Sequence, residues 1–276
     1  MTPSLPEEVV QVRDVTLQYK TPDHLVTATY QVSCTVERSD RYVILGPSGC
    51  GKSTLLKAVA GFMRPVAGSI SVNGREVRGP GPDRMMVFQE FEQLMPWKSV
   101  LDNVIFPMKA SRKFKRREAR ARALAAIDKV SLTEFKDIYP HMLSGGMKMR
   151  VAIARAMALE PDVLLMDEPF AALDALTRRK MQEELLALWE QLRFTVLFVT
   201  HSIEEAIVVG SRILILSPHP GRVRAELDAG SLSYKDIDSP RFGALSKRIH
   251  SLLFDGAGSV PEAARDDGPA KLAARA

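Results

Sequence analysis

The stretch Gly46-Pro47-Ser48-Gly49-Cys50-Gly51-Lys52-Ser53 constrains this chain more than any other. It fits G-x-x-x-x-G-K-[ST], the loop that wraps nucleotide phosphates. Its glycines allow a tight turn that aims successive backbone N–H groups inward. The positive end of the helix that follows faces the anion. Lys52 supplies a mobile charge for the β- and γ-phosphates, and the Ser53 hydroxyl can ligand Mg2+. Thr54 completes the nucleotide-binding stretch. The alternative is a Gly-rich turn that matches by chance. The flanks argue against it: Tyr42-Val43-Ile44-Leu45 reads as a short buried strand, and Ser53 to Ala60 as a helix stopped by Gly61.

The totals narrow what such a loop can serve. A chain of 276 residues holds one domain or two. Its net charge of +5 permits an acidic membrane surface or a nucleic acid as neighbour without requiring either. Two cysteines, Cys34 and Cys50, make no disulfide framework and suit a reducing cytosol. The N-terminus lacks the basic-then-apolar pattern of a signal peptide. No apolar run reaches the length of a membrane span, so a membrane path would have to come from other chains.

Residues 1–8 read as frayed. Val15, Leu17 and Tyr19 alternate with polar residues, as do Tyr30, Val32, Cys34 and Val36, which predicts antiparallel strands with one covered face. Ser69 to Val72, Asn73-Gly74 and Arg75 to Val77 read as a hairpin. Met85 to Phe88 is a short strand ending at Gln89. From there to about Met142 the pattern is helical. Ser99 caps a helix that Pro107 ends near Ile105. Arg112 to Arg122 holds seven basic residues and one acid, read as a solvated helix face, with anionic lipid headgroups as the alternative. Then come a helix over Gly146 to Ala158, a strand over Val163 to Met166, a helix over Leu176 to Leu192 and a strand over Phe194 to Val199. Ser202 and Glu205 have capping-box spacing. Strands over Arg212 to Leu216 and Arg222 to Leu227 and a helix over Pro240 to Phe254 complete the pattern. Residues 255–276 read as a disordered tail.

Val163-Leu164-Leu165-Met166-Asp167 puts a carboxylate at a strand tip, the edge that faces ligand in a doubly wound sheet. Asp167 is placed there to hold Mg2+ through its water shell. Glu168 follows and can polarise a water in line with the γ-phosphate. Many buried strands end in an acid, so this motif gains force from the loop before it. Leu143-Ser144-Gly145-Gly146 opens a helix and makes a second anion-ready end. The order Gly46…Ser53, Gln89, Leu143-Ser144-Gly145-Gly146, Asp167-Glu168, Ala172-Leu173-Asp174, His201 resembles the ATP-binding cassette (ABC) ATPases of ABC transporters, over about residues 9–225.

The resemblance implies an α/β fold: a P-loop NTPase core with a mainly parallel sheet, an antiparallel β layer and a helical subdomain. The ABC ATPase domain would span 9–227, with the helical subdomain at about 91–160, a helical appendage at 228–254 and the tail at 255–276. It implies ATP and Mg2+ as ligands. Lys52, Gln89, Glu168 and His201 would be catalytic, and Ser53, Gln89 and Asp167 would serve the metal. Tyr19 sits where the family stacks an aromatic ring on adenine; the plainer reading is a strand tyrosine. Ser144, Gly145 and Gly146 would touch the γ-phosphate of ATP bound to a second copy, and Asp174 would lie in the loop that crosses between copies.

Met147 stands where the family more often has glutamine. This, Gly79-Pro80-Gly81-Pro82-Asp83-Arg84 and Met95-Pro96-Trp97 look similar to cassettes of the nitrate, sulfonate and taurine import group. The implied protein is the ATPase subunit of a bacterial importer on the cytoplasmic face of the inner membrane. It would work as a head-to-tail homodimer with separate permease subunits, indirectly with a solute-binding protein, and without nucleic acid. Import of another small solute, or a soluble ABC ATPase acting on nucleic acid or ribosomes, are the alternatives. Met95, Pro96 and Trp97 are expected either to line a groove for a permease helix or to pack in the core. Cys50, near a helix N-terminus and Lys52, is either a reactive thiol or a small loop residue.

Overall fold

The computed structural model describes residues 8–20, 24–88, 93–230 and 232–254. Its centre is a six-stranded sheet of β3 (Arg41–Leu45), β6 (Arg84–Val87), β7 (Val163–Asp167), β8 (Thr195–Thr200), β9 (Arg212–Leu216) and β10 (Val223–Asp228), in the order β10-β9-β3-β8-β7-β6. Pairing is parallel except for β10, which runs antiparallel to β9. The short apolar runs of β3, β7 and β8 become central strands because both of their faces are covered. Val43, Leu45, Leu164, Met166, Val196 and Phe198 face one core, and Tyr42, Ile44, Val163, Leu165, Leu197 and Val199 the other. That alternation is the two-residue period of a strand. Each such fully buried side chain contributes about 1.5–3 kcal/mol.

The second core is closed by a four-stranded antiparallel sheet, β2 (Leu25–Glu37), β1 (Glu8–Lys20), β4 (Ala67–Val72) and β5 (Arg75–Glu76), in the order β2-β1-β4-β5. Val10, Val12, Val15, Leu17, Val32, Cys34 and Val36 are its covered face. Asn73 and Gly74 both have positive φ, as a two-residue hairpin turn requires. Strand β1 begins at Glu8, within the stretch read as frayed, because Glu8 pairs with Glu37.

On the other face lie α2 (Val100–Ala110), α3 (Arg116–Lys129), α4 (Gly145–Ala158), α5 (Ala175–Leu192), α6 (Ile203–Val209) and α7 (Pro240–Phe254); α1 (Lys52–Val59) follows the phosphate loop. The expected stop at Pro107 does not occur: this proline lies inside α2, and the helix runs on to Ala110. Proline in a helix costs about 3 kcal/mol. Burial of Val104 and Met108 and four hydrogen bonds made by the buried Asn103 side chain to the backbone of Met95, Lys98 and Ser99 oppose that cost. Helix α3 buries Ala119, Ala123, Ala126 and Ile127 and turns Arg116, Arg117 and Arg120 outward. Helix α7 buries Phe242, Ile249 and Leu253 and packs on α6 and β9. No helix among the described residues is long and apolar enough to cross a membrane.

Candidate active site

The parallel strands β3, β7 and β8 end side by side, and the chemistry-bearing residues follow those ends. After β3 the chain turns through Gly46–Gly51 into α1. Gly51 is the helix N-cap, with φ 92 and no side-chain cap bond, so the first-turn N–H groups stay open to a ligand. A Cβ at Gly51 would stand 2.6 Å from the Ala28 carbonyl oxygen and 2.7 Å from Thr29 Cγ2. That wall is fixed in turn by the β9–β10 turn, where the Gly221 N–H donates to the Ala28 oxygen at 2.9 Å. Ser48 and Gly49 form the exposed tip. Lys52 is only 5% exposed, and its ammonium donates to the carbonyls of Gly46 at 2.9 Å and Pro47 at 3.0 Å. The charge is thus held at the loop by acceptors that an anion can replace.

Ser53 Oγ donates to Asp167 Oδ1 at 2.6 Å. Burial pushes the Asp167 carboxyl above the usual carboxylate range, and the Ser53 hydrogen bond only partly opposes it. A cation would relieve that cost. The donors are a hydroxyl and a carboxylate, and among the described residues no cluster of three or more His, Cys, Asp or Glu offers a metal cage. A site with one or two hard protein oxygens, completed by phosphate and water, fits Mg2+.

Glu168 takes φ 44, an uncommon conformation for glutamate. Its N–H donates to the Val199 carbonyl at 3.0 Å, which holds the turn. The side chain therefore leaves the direction of Asp167 and reaches His201, with Oε2 2.9 Å from Nδ1. Strand pairing explains the meeting: Asp167 lies opposite Val199, so the residues after each strand emerge together. Glu168, Arg178, Thr200, His201, Ser202 and Glu205 line a cavity of about 60 Å³, large enough for ordered water.

The remaining expected residues are placed apart from this cluster. Ser144 caps α4, its Oγ accepting from the Met147 N–H at 3.3 Å. Asp174 caps α5, accepting from the Thr177 N–H at 3.0 Å, and that bond holds its carboxyl below the usual range. The two caps are neighbours, since a Cβ on Gly146 would touch Thr177 Cγ2 at 3.3 Å. Among the described residues, no hydrogen bond joins Ser144, Gly145, Gly146 or Asp174 to the phosphate loop, Asp167, Glu168 or His201. Tyr19 is 42% exposed near the end of β1, opposite Val26. Gln89 lies outside the described residues.

Of the two readings of Cys50 the structure supports the small loop residue: it is fully buried, and burial pushes its thiol up more strongly than Lys52 pulls it down. The expectation for Met95, Pro96 and Trp97 is corrected. A groove of about 520 Å³ exists, but Phe62, Met85, Phe88, Phe106, Pro107 and Leu159 are among its walls, and Met95, Pro96 and Trp97 are not. Trp97 is instead 73% exposed outside it. The sequence reading also missed Glu205. Its spacing from Ser202 signals a capping box, and Ser202 Oγ does accept from the Glu205 N–H at 3.3 Å. The carboxylate does not return to Ser202; it accepts from Thr200 Oγ1 and from Gln182 Nε2.

The chain is similar to known proteins. Residues 29–171 match the family model described as ABC transporter. The chain is 48% identical over 236 residues to the taurine import ATP-binding protein TauB of Rhizobium johnstonii, covering 83% of this chain and 89% of the relative. It is 41% identical over 242 residues to the nitrate import ATP-binding protein NrtD of Synechococcus elongatus, covering 86% and 88%. Among solved structures, a dimeric post-hydrolysis state of the ATP-binding cassette MJ0796 bound to ADP and Pi superposes with a TM-score of 0.69 at 32% identity, over 81% of this chain and 100% of that one. The phosphate loop, the paired strand ends and these matches agree: the chain belongs to the ABC transporter family, as one of its ATPase cassettes.

Proposed function

We propose that this chain is the ATP-hydrolysing subunit of an importer for a small anionic or sulfonated solute of the taurine and nitrate kind. The observation that carries the reading is the convergence of Lys52, Ser53–Asp167 and Glu168–His201 at three adjacent strand ends, in a chain whose relatives are named import subunits. The cassette spans 9–227, with 228–254 packed upon it as an appendage. It lies peripherally on the cytoplasmic face of the membrane.

In the proposed cycle, the backbone N–H groups of Gly46–Ser53 and Thr54 take the phosphates, and Lys52 exchanges its two carbonyl partners for phosphate oxygens. Tyr19 stacks on adenine. Ser53, Asp167 and Gln89 would hold Mg2+, which would supply neutralisation of phosphate charge. Glu168 accepts a proton from the attacking water, whose oxygen bonds to the γ-phosphorus as the bond to the ADP oxygen breaks. His201 hydrogen-bonds the γ-phosphate and holds the water's geometry. Ser144, Gly145 and Gly146 of a second copy close on the same phosphate, with Asp174 near the crossing. Ser144 and Asp174 cap neighbouring helices and, among the described residues, make no hydrogen bond to the phosphate loop of their own chain, which supports that division. The apolar groove beside Phe62, Phe88 and Phe106 receives a helix of the permease.

The test is capture of tagged Glu168→Gln protein with ATP and Mg2+ from detergent-solubilised membranes. A co-purifying polytopic permease, and a solute-binding protein that binds a sulfonate or nitrate, support the proposal. Ribosomes or nucleic acid without a membrane protein would overturn the transport role and leave the ATPase assignment standing.

A further inference from the structure

A line of hydrogen bonds runs from the C-terminal segment to the backbone turn that carries the histidine of the site. Ser233 and Asp236 form a complete capping box that fixes the short turn Tyr234–Asp236. Arg179 on α5 lies over the Tyr234 ring, 4.7 Å from its centroid. So held, the Tyr234 hydroxyl donates to Gln182 Oε1 on α5. Gln182 Nε2 donates to Glu205 Oε1 on α6. The second oxygen of Glu205 accepts from Thr200 Oγ1, the last residue of β8. Thr200 Oγ1 in turn accepts the Ser202 N–H at 3.0 Å. The last bond closes a turn over one residue, His201.

Gln182 and Thr200 are each 1% exposed and Glu205 is 8% exposed. With so little solvent at these side chains, each depends largely on the next for its hydrogen bond. Glu205 and Thr200 also line the small cavity shared with Glu168 and His201. The imidazole has its Nδ1 on Glu168, and its side chain is 57% exposed. The backbone turn at 200–202 sets where that side chain leaves the chain, and so whether it meets Glu168.

We propose that Glu205, Gln182 and Tyr234 are positioning residues for His201, and that through Tyr234 the segment 228–254 sets the rate of ATP hydrolysis. The proposal rests on the role given to His201 above. The network touches no residue of Gly46–Ser53, so it acts on turnover and not on nucleotide capture.

The test is steady-state ATPase kinetics of the full chain for wild type, Tyr234→Phe, Glu205→Gln, His201→Ala and His201→Ala/Tyr234→Phe. Tyr234→Phe keeps the ring and its Arg179 contact and removes one hydroxyl. It should lower kcat about 3- to 10-fold, the range of one lost hydrogen bond, and leave the KM for ATP unchanged. Glu205→Gln, which replaces an acceptor by a donor, should lower kcat further. In the His201→Ala background Tyr234→Phe should have no further effect, because groups that act as a unit are not additive.

Multiplicative losses, or a rise in KM without a fall in kcat, would overturn the proposal while leaving the His201 assignment intact. Wild-type turnover in His201→Ala would remove that assignment and this proposal together. A second readout needs no turnover. His201 is one of five histidines, and its imidazole C–H resonance is assigned by its loss in His201→Ala. Tyr234→Phe should shift that resonance and leave the other four in place; an unmoved His201 resonance would overturn the proposal.

Discussion

Two glycines of the phosphate loop share a backbone conformation and differ in their surroundings, which separates two energies usually measured together. Gly49 has φ 79 and Gly51 φ 92. An alanine in either left-handed position costs about 1–2 kcal/mol. At Gly49 a Cβ meets nothing within 4 Å; at Gly51 it stands 2.6 Å from the Ala28 oxygen and 2.7 Å from Thr29 Cγ2. The Ala28 oxygen cannot simply withdraw, because it accepts the Gly221 N–H at 2.9 Å, and Thr29 is fully buried. Overpacking of this kind adds about 1–3 kcal/mol. Gly49→Ala should therefore lose about 1–2 kcal/mol and Gly51→Ala about 2–5 kcal/mol. Urea unfolding of nucleotide-free protein measures the difference as a shift in midpoint at constant slope. Equal losses in the two variants would refute the claim that the wall behind Gly51 is rigid. Under the proposed function the phosphates occupy the space above Gly49, so Gly49→Ala should weaken ATP binding more than it weakens the fold.

Glu168→Gln should lower kcat by about 10²- to 10⁴-fold, as loss of a general base does, and should accumulate an ATP-dependent dimer on size exclusion; turnover at the wild-type rate would refute its role. Asp167 has its pKa raised in the folded state, so the folded protein binds that proton more readily than the unfolded chain, and stability falls as pH rises from the ordinary carboxylate range through the folded pKa. Asp167→Asn should accordingly raise the stability of nucleotide-free protein at pH 7.5 by about 1 kcal/mol while abolishing hydrolysis; a lower Tm at that pH would refute the burial argument. Both cysteines are buried with thiols pushed up, so native protein should resist a thiol reagent at pH 7.5 and expose two reactive thiols in urea. Fast native labelling, with protection by ATP, would restore the reactive reading of Cys50. Phe106→Asp, on the groove wall, should abolish co-purification of the permease with intrinsic ATPase activity retained.

What was legible in the sequence depended on how local its cause was. Strands β3, β7 and β8 declared themselves because two covered faces force continuous apolar runs. The cap at Ser99 accepts an N–H three residues away, so spacing alone reveals it; Ser144 and Asp174 cap their helices at the same spacing, although the sequence reading gave them other roles. Pro107 was misread because its local cost is opposed by distant packing. The pairing of Glu168 with His201 joins residues 33 apart and follows from the β7–β8 register, which no local pattern encodes. Glu205 was read as half of a local cap for the same reason: its real partners are Gln182 and Thr200, on different elements. The groove walls, drawn from α1's exit, β6 and α2, were equally out of reach, so Met95 to Trp97 stood in for them.

The groups of the site are hydrogen-bonded to one another. Lys52 is bonded to the Gly46 and Pro47 carbonyls, Ser53 to Asp167, and His201 to Glu168. Each pair occupies a group that a triphosphate or its metal would use. A hydrogen bond to a charged group is worth about 1.5–3 kcal/mol net, so under the proposed function a triphosphate must replace all three pairs to displace them. A diphosphate can repay the first two, at the loop and at Ser53. In the proposed cycle only the γ-phosphate reaches the third, between Glu168 and His201. Under the proposed function that same phosphate is also what a second copy's Ser144 reads, since Ser144 has no partner among these groups in its own chain. One phosphate would then open the catalytic pair and supply the contact that joins two chains. ATP would close the dimer and ADP would not, with no separate sensor required.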